Sequence, residues 1–178
     1  MRRTFFLTVA LVAALACNRD EKPLTPNLDV ENKVTTRPVT LFFEAPDMLL
    51  AGERREVALP ENPAAAASVV IRELLKGSAN AAVPRLFPED TQLRAAYLLP
   101  EGTVVVDLGG PTLTDGWNTG THQELMAIYS LVETLTTNFP AARRVRILLN
   151  GTPSETMGGH VSLGRAFVPV PGLVRRQG

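Results

Sequence analysis

The sequence is poor in the residues on which most metal and redox chemistry depends. Among its 178 residues are one cysteine and two histidines, so neither an internal disulfide nor an all-cysteine metal site can form. The 18 basic and 18 acidic residues cancel. Nucleic-acid binding depends on a surplus of Lys and Arg, so this balance argues against that class. We therefore expect no nucleic-acid partner, no metal and no cofactor.

The amino terminus has the pattern of an export signal. Arg2 and Arg3 precede an uncharged run over residues 4–16, which is 13 residues long and ends at Cys17. A membrane-spanning helix needs about 20 apolar residues, so the run is typical of a secretory signal peptide, predicted here at 1–16. The Ala-Leu-Ala before Cys17 resembles a bacterial lipobox, which implies lipid attachment at Cys17. An ordinary signal peptide cut nearby and an uncleaved anchor remain alternatives.

Residues 17–37 have the composition of a flexible tether. They mix charges of both signs with two prolines, and they contain no aromatic residue and no apolar period. Cleavage before Cys17 removes Arg2 and Arg3 and leaves 16 basic against 18 acidic residues, a net charge of −2. We therefore expect a lipid-anchored, extracytoplasmic protein in the cell envelope, held at the membrane by its lipid and not by charge.

The folded part is predicted over residues 38–168, followed by a weakly ordered tail at 169–178. Asn62 and Pro63 indicate the start of a first helix, and Gly77 its end. The capping-box spacing of Thr121 and Glu124 indicates the start of a second helix. The predicted elements are strands at 39–43 and 55–59, a helix at 63–76, a hairpin at 91–108, a helix at 121–138 and a strand at 144–149.

This order predicts an α/β fold of the α+β type. Two helices would pack in two layers on a mixed sheet of about four to five strands that includes a central hairpin. Residues 47–53 are expected to form a loop.

The predicted elements contain motifs of a known domain, and these motifs follow one another along the chain in the same order as in that domain. From about Val39 to Val168 the chain resembles the GerMN domain, named for bacterial sporulation and germination proteins. The resemblance implies an exported, often lipid-anchored α/β domain that serves as a scaffold piece in an envelope assembly. It carries no catalytic residues. The matching segments are Val39–Phe43, Glu53–Val57, Ala67–Gly77, Leu99–Leu108, Glu124–Phe139, Val145–Gly151 and Gly159-His160.

Three side chains are candidates for acid–base chemistry: Asp107, Asp115 and His160. A cell-wall-acting enzyme would bring these three groups into one pocket. The simpler interpretation is that both aspartates cap or solvate loops and that the His160 imidazole bonds to a backbone carbonyl. We therefore predict no catalytic residue and no enzyme activity, with the cell-wall enzyme as the alternative.

Four residues are candidates for partner binding: Trp117, Phe42, Phe43 and His160. Consecutive strand residues point to opposite faces, so one of the two phenylalanines needs cover from a carboxyl-terminal segment or a partner. A sheet face or edge strand not occupied by the helices would be available for association. The leading hypothesis is a scaffold module that binds an envelope protein, the wall polymer or itself; a small-ligand-binding lipoprotein is a further alternative.

Overall fold

The computed structural model describes residues 33–175, so the predicted signal peptide and Cys17 lie outside the described residues. The α+β fold is confirmed. Within this range no helix is long and apolar enough to cross a membrane. Its elements are β1 (Val34–Glu44), β2 (Leu50–Pro60), α1 (Pro63–Leu75), β3 (Gln92–Leu98), β4 (Thr103–Gly109), α2 (Pro111–Asp115), α3 (Thr121–Asn138), β5 (Arg144–Leu149) and a 3-10 turn at Pro171–Leu173.

The five strands form two sheets and not one. Strands β1 and β2 make an antiparallel pair, and β3, β4 and β5 make a mixed sheet in which β4 is central. The predicted hairpin is the antiparallel β3–β4 pair, while β5 runs parallel to β4. A parallel neighbour needs a crossover, and α3 provides it.

The first strand pair is longer than the sequence predicted. β1 begins at Val34, four residues before the expected boundary at Pro38, and residues 50–53 belong to β2 and not to a loop. The register runs without interruption from Val34 opposite Pro60 to Glu44 opposite Leu50. The amino-terminal half of β1 is exposed on both faces, so it lacks the apolar alternation by which a strand is recognised.

Helix α3 is the centre of the core. Its residues from Met126 to Leu135 are almost all buried, because β1 and β5 both pack against it. A helix apolar on nearly all sides is typical of such an enclosed position. Three buried polar side chains interrupt this pattern, namely Ser130, Glu133 and Thr134, and each has a backbone partner.

Side chains of α3 occupy the outer edge of β1. The Thr134 hydroxyl accepts the Phe42 N–H at 3.1 Å, and the Ser130 hydroxyl donates to the Phe42 carbonyl at 2.7 Å. One turn further, the Asn138 amide bonds both the N–H and the carbonyl of Thr40. An edge strand with satisfied backbone groups cannot pair with another chain. This part of β1 is therefore not the available edge that the sequence suggested.

The carboxyl-terminal segment packs on the first strand pair. Val174 forms a parallel bridge with Leu50, the Arg175 N–H donates to the Leu50 carbonyl, and the Arg175 guanidinium pairs with Asp47 at 2.9 Å. Residues 169–175 thus differ from the expected weakly ordered tail. This segment is ordered by its pairing with Leu50, and the alternation of Val and Pro in its sequence does not predict that contact.

The loop after α1 is fixed by a carboxylate of β2. Glu53 accepts hydrogen bonds from the Ser78 hydroxyl at 2.6 Å and the Ala79 N–H at 3.1 Å, and it pairs with Arg55. Burial by itself would raise the pKa of Glu53, but these hydrogen bonds outweigh it and hold the pKa below its ordinary value of 4.5.

Candidate functional site

The parallel pairing of β4 with β5 ends at Leu108 and Leu149, and each strand then continues into a glycine-containing loop. In open α/β sheets the carboxyl ends of parallel strands are where ligand sites collect. The first loop contains α2 and Trp117. The second runs from Asn150 to Val161. We call the space between them the loop cleft; its volume is about 490 Å³.

A buried glutamate of α3 shapes the second loop. Glu124 is fully buried, and its two carboxylate oxygens accept four backbone N–H groups: Met157 at 2.9 Å, Gly158 at 2.7 Å, His160 at 2.8 Å and Val161 at 3.1 Å. A carboxylate has about four acceptor positions, so its capacity is filled.

The predicted capping role of Glu124 is wrong. The residue before the helix is Gly120, which has no side chain to cap it, and Thr121 is already helical. A signal for the actual role exists in the sequence. Glu124 precedes Ile128, Leu131 and Leu135 at spacings of four, three and four, so it occupies the buried stripe of the helix.

A second carboxylate holds the start of the same loop. Asp107 of β4 is 7% exposed; one oxygen accepts the Gly151 N–H at 2.7 Å and the other accepts Arg94 Nε at 3.2 Å. This is the loop-capping role that the simpler interpretation gave it. Asp107 therefore positions backbone, and its oxygens face neighbours within the chain.

The first loop is fixed at α2 by an aspartate that sequence reasoning missed. One oxygen of Asp90 accepts the Thr112 N–H at 2.7 Å, and this hydrogen bond holds the pKa of Asp90 below its ordinary value. Gly110 permits the approach: its φ is +142°, and a Cβ there would lie 2.5 Å from the Asp90 carbonyl oxygen. The signal was the Gly-Pro pair at 110–111, since Pro suits the first turn of a helix.

The three acid–base candidates do not converge. His160 Nε2 donates to the Thr119 carbonyl at 2.7 Å, as the simpler interpretation predicted, and Asp115 is exposed at the end of α2 beside Thr114. None of Asp107, Asp115 and His160 lines the loop cleft. Within residues 33–175 no group of three or more His, Cys, Asp or Glu side chains could hold a metal ion.

The three aromatic candidates for partner binding are buried and do not project into solvent. Trp117 is 8% exposed and contributes to the wall of the loop cleft. Phe42 and Phe43 are 7% and 5% exposed. Phe42 lines a cavity together with Pro171 and Val174, so the carboxyl-terminal segment lies on the same side of β1 as this side chain.

The outer face of the three-stranded sheet is only partly covered: Val105, Arg146 and Leu148 are half-buried there. Its inner face carries Val104, Val106, Val145 and Ile147, all buried to 1% or less. On the outer face, Tyr97 of β3, Val105 of β4 and Arg146 of β5 stand side by side in one row.

We call this outer face, with its neighbouring Arg144 and Leu148, the arginine face. Tyr97 is 57% exposed there. The two guanidiniums make only neutral contacts among residues 33–175: Arg144 donates to the Thr103 hydroxyl at 2.8 Å and Arg146 to the Gly164 carbonyl at 3.2 Å.

The chain is similar to known sporulation domains. A family model described as Germane, sporulation and spore germination, matches residues 40–155. No curated protein is significantly similar in sequence.

Three solved structures align with this chain at low identity. A proposed lipoprotein from Clostridium perfringens aligns at 17% identity with a TM-score of 0.54, over 79% of this chain and 93% of that chain. At this identity the match shows a common fold alone. The tandem GerMN domains of GerM from Bacillus subtilis align at 16% identity and a TM-score of 0.47, over 73% of this chain and 44% of that chain. The first GerMN domain of that protein aligns at 17% identity with a TM-score of 0.45, over 80% of this chain and 98% of that chain.

Proposed function

The chain belongs to the Germane family of sporulation and spore germination domains, and on this premise we propose that it is a lipid-anchored extracytoplasmic module that binds an acidic protein in a cell-envelope assembly. The anchor is the lipid on Cys17, and the tether that follows gives the domain reach. The binding surface is the arginine face.

The location rests on the amino-terminal pattern. A short uncharged run after two arginines ends at the single cysteine of the chain. Lipid attachment at Cys17 is tested by metabolic labelling with a palmitate analogue, with Cys17→Ser as the control variant. We expect label and membrane association in the wild type, and neither in Cys17→Ser. Equal labelling of both chains would refute the anchor.

The binding role is supported by one observation, the arginine face, on which Tyr97 and Arg144 are exposed. An exposed tyrosine, two branched apolar side chains and two arginines share this side of the sheet. Tyr and Arg are enriched at protein interfaces and Lys is depleted. No lysine lies among the residues that define the face, so its composition favours a protein surface over a polyanion.

Charge complementarity supports an acidic partner. Arg144 and Arg146 lack a salt bridge within the described part of the chain, whereas Arg94 nearby is paired with Asp107. A second copy meeting this face with its own would bring like charges together, which costs binding energy. A partner with carboxylates around a small apolar centre would instead pair with both guanidiniums and cover Val105.

The proposal is tested by crosslinking in intact envelopes. A photoreactive phenylalanine analogue is placed at Tyr97 or, as the control, at Val34, which is similarly exposed at 55% against 57%. We expect a protein adduct from position 97 that is absent from position 34 and is lost when Arg146→Glu is added.

Three results would contradict the proposal. The same adducts from both positions would show that the contact is unspecific. An adduct with a second copy, or with wall polymer alone, would assign the face to another occupant.

A further inference from the structure

The outer edge of β2, on the side away from β1, has backbone groups that point out of the sheet. The evidence comes from β1, where the backbone groups of Thr40 and Phe42 point away from β2 and bond side chains of α3. Residues directly opposite each other in an antiparallel pair either exchange both hydrogen bonds or both point outward. Arg54 lies opposite Thr40 and Gly52 lies opposite Phe42, so their N–H and C=O groups point away from β1.

The same alternation continues along β2 to Glu56 and Ala58. We call the outward backbone groups of Gly52, Arg54, Glu56 and Ala58 the β2 edge, and all four residues are exposed. Within residues 33–175 no hydrogen bond reaches these groups, since the carboxyl-terminal segment pairs with this side of the strand at Leu50 and no further along it. The β2 edge therefore offers donors and acceptors that another strand can complete.

The side chains along the β2 edge restrict which strand fits. Arg54 and Glu56 project from the exposed face of β2 and form no salt bridge within the described part of the chain. Charges on an edge strand disfavour pairing, and like charges directly opposite each other are destabilising. A strand that suits this edge carries an acidic residue opposite Arg54 and a basic residue opposite Glu56.

The strand β2 itself meets this requirement. When two β2 edges pair antiparallel, the outward residues pair with one another, so the two-fold axis passes through a residue of the strand. With the axis at Arg55, Arg54 lies opposite Glu56 of the second copy, and the reverse pair forms as well. Gly52 then lies opposite Ala58, and neither adds bulk. An axis at Arg54 or at Glu56 would place that residue opposite itself, which brings like charges together.

The side chain at the axis is already paired within its own chain. Arg55 projects from the other face of β2, where its guanidinium forms salt bridges with Glu53 and Glu73. The two copies of Arg55 therefore approach each other with their charges balanced.

We propose that the β2 edge binds the β2 edge of a second copy, antiparallel and with the two-fold axis at Arg55. The two strand pairs then form one four-stranded sheet. The contact consists of backbone hydrogen bonds and two charge pairs with little apolar area, so the dimer is weak and dissociates on dilution. The membrane anchor of the proposed function favours it by concentrating the chains. The β2 edge shares no residue with the arginine face, so either surface can fail without the other.

Exchanging charges on the β2 edge tests both the surface and the register. The purified full chain is studied in density-matched detergent micelles by sedimentation equilibrium over a range of concentrations. Arg54→Glu leaves two acidic residues on the edge and Glu56→Arg leaves two basic ones, so each variant places like charges opposite each other in its own dimer. The double variant Arg54→Glu, Glu56→Arg restores opposite charges, as does an equimolar mixture of the two single variants. Arg37→Glu is the matched control, because Arg37 is exposed on β1 and its reversal changes the net charge as Arg54→Glu does.

We expect the wild type to form reversible dimers. Each single variant should raise the dissociation constant of the dimer about tenfold or more, because two favourable cross-strand pairs become two unfavourable ones. The double variant, the mixture and Arg37→Glu should stay close to the wild type.

The proposal fails in any of three cases. A wild type that stays monomeric at every concentration would show that the edge binds no second copy. Single variants with the wild-type dissociation constant would place the dimer contact elsewhere. A double variant and a mixture that do not recover would refute the register. The variant Arg144→Glu, Arg146→Glu changes the arginine face and should dimerise as the wild type does, so a failure of the proposed function is read separately.

Discussion

Replacing Glu124 by glutamine tests whether one buried carboxylate organises the second loop. The four N–H donors at 2.7–3.1 Å need four acceptor positions. A glutamine amide has one oxygen for two of them and turns an NH₂ group toward the other two. Glu124→Gln therefore loses two charge-assisted hydrogen bonds, each worth about 1.5–3 kcal/mol, which predicts a loss of about 3–6 kcal/mol. Domains of this size have about 5–15 kcal/mol in all, so the variant should be marginal.

Glu133→Gln is the matched control on the same helix. Glu133 is 6% exposed, and one oxygen accepts a single N–H, that of Val170 at 2.8 Å. A glutamine carbonyl keeps this bond, so we expect a loss of about 1 kcal/mol or less. Urea unfolding gives both values.

Hydrogen exchange separates a local effect from a global one. In Glu124→Gln the amides of Met157, Gly158, His160 and Val161 should exchange faster by a larger factor than those of β4. The reasoning is refuted if Glu124→Gln loses less than about 1 kcal/mol while these amides keep their protection.

Three further substitutions test other parts of the fold. Gly110→Ala should lower the urea midpoint markedly, because its Cβ would meet a carbonyl oxygen at 2.5 Å, whereas Gly120→Ala, with nothing within 4 Å, should stay close to wild type. Thr134→Val leaves the buried Phe42 N–H without an acceptor and should cost about 1–3 kcal/mol in the same assay; a neutral result would contradict the edge contact. The folded pKa of Glu53 lies below 4.5, so the ionised side chain stabilises the fold fully above that pH. This contribution is lost as the pH falls through the folded pKa. Glu53→Gln should thus be less stable than the wild type at neutral pH, and its free energy of unfolding should fall less steeply as the pH is lowered. Equal slopes for the two proteins in the acid range would refute this.

The long periodic elements were predictable from the sequence. Helix α3 occupies the predicted range of 121–138 and β5 that of 144–149, because apolar spacing and the flanking turn residues agree at both ends. Helix α1 differs from its prediction by one residue at the end. Local signals decide such elements, since their own side chains form the buried face.

Elements fixed by tertiary contacts were not predictable. The exposed half of β1 depends on pairing with β2, and the carboxyl-terminal segment depends on Leu50. Trp117 is a candidate for partner binding because its Gly-rich neighbourhood indicates a loop, but the structure packs this loop residue into the core.

The role of Glu124 was not predictable for a similar reason. Glu124 has a spacing that serves equally for a cap and for a buried stripe, and only the distant loop at 157–161 decides between them. The periodicity of Ser130, Thr134 and Asn138 at intervals of four was a readable signal of a polar seam on a buried helix.

The central claim, binding through the arginine face, is tested most directly by the native mass of the chain extracted from envelopes. The account predicts that the wild type migrates in a complex larger than one chain. The double variant Arg144→Glu, Arg146→Glu should migrate as a monomer with its thermal unfolding unchanged. If this variant remains in a complex of the same mass as the wild type, the account is contradicted.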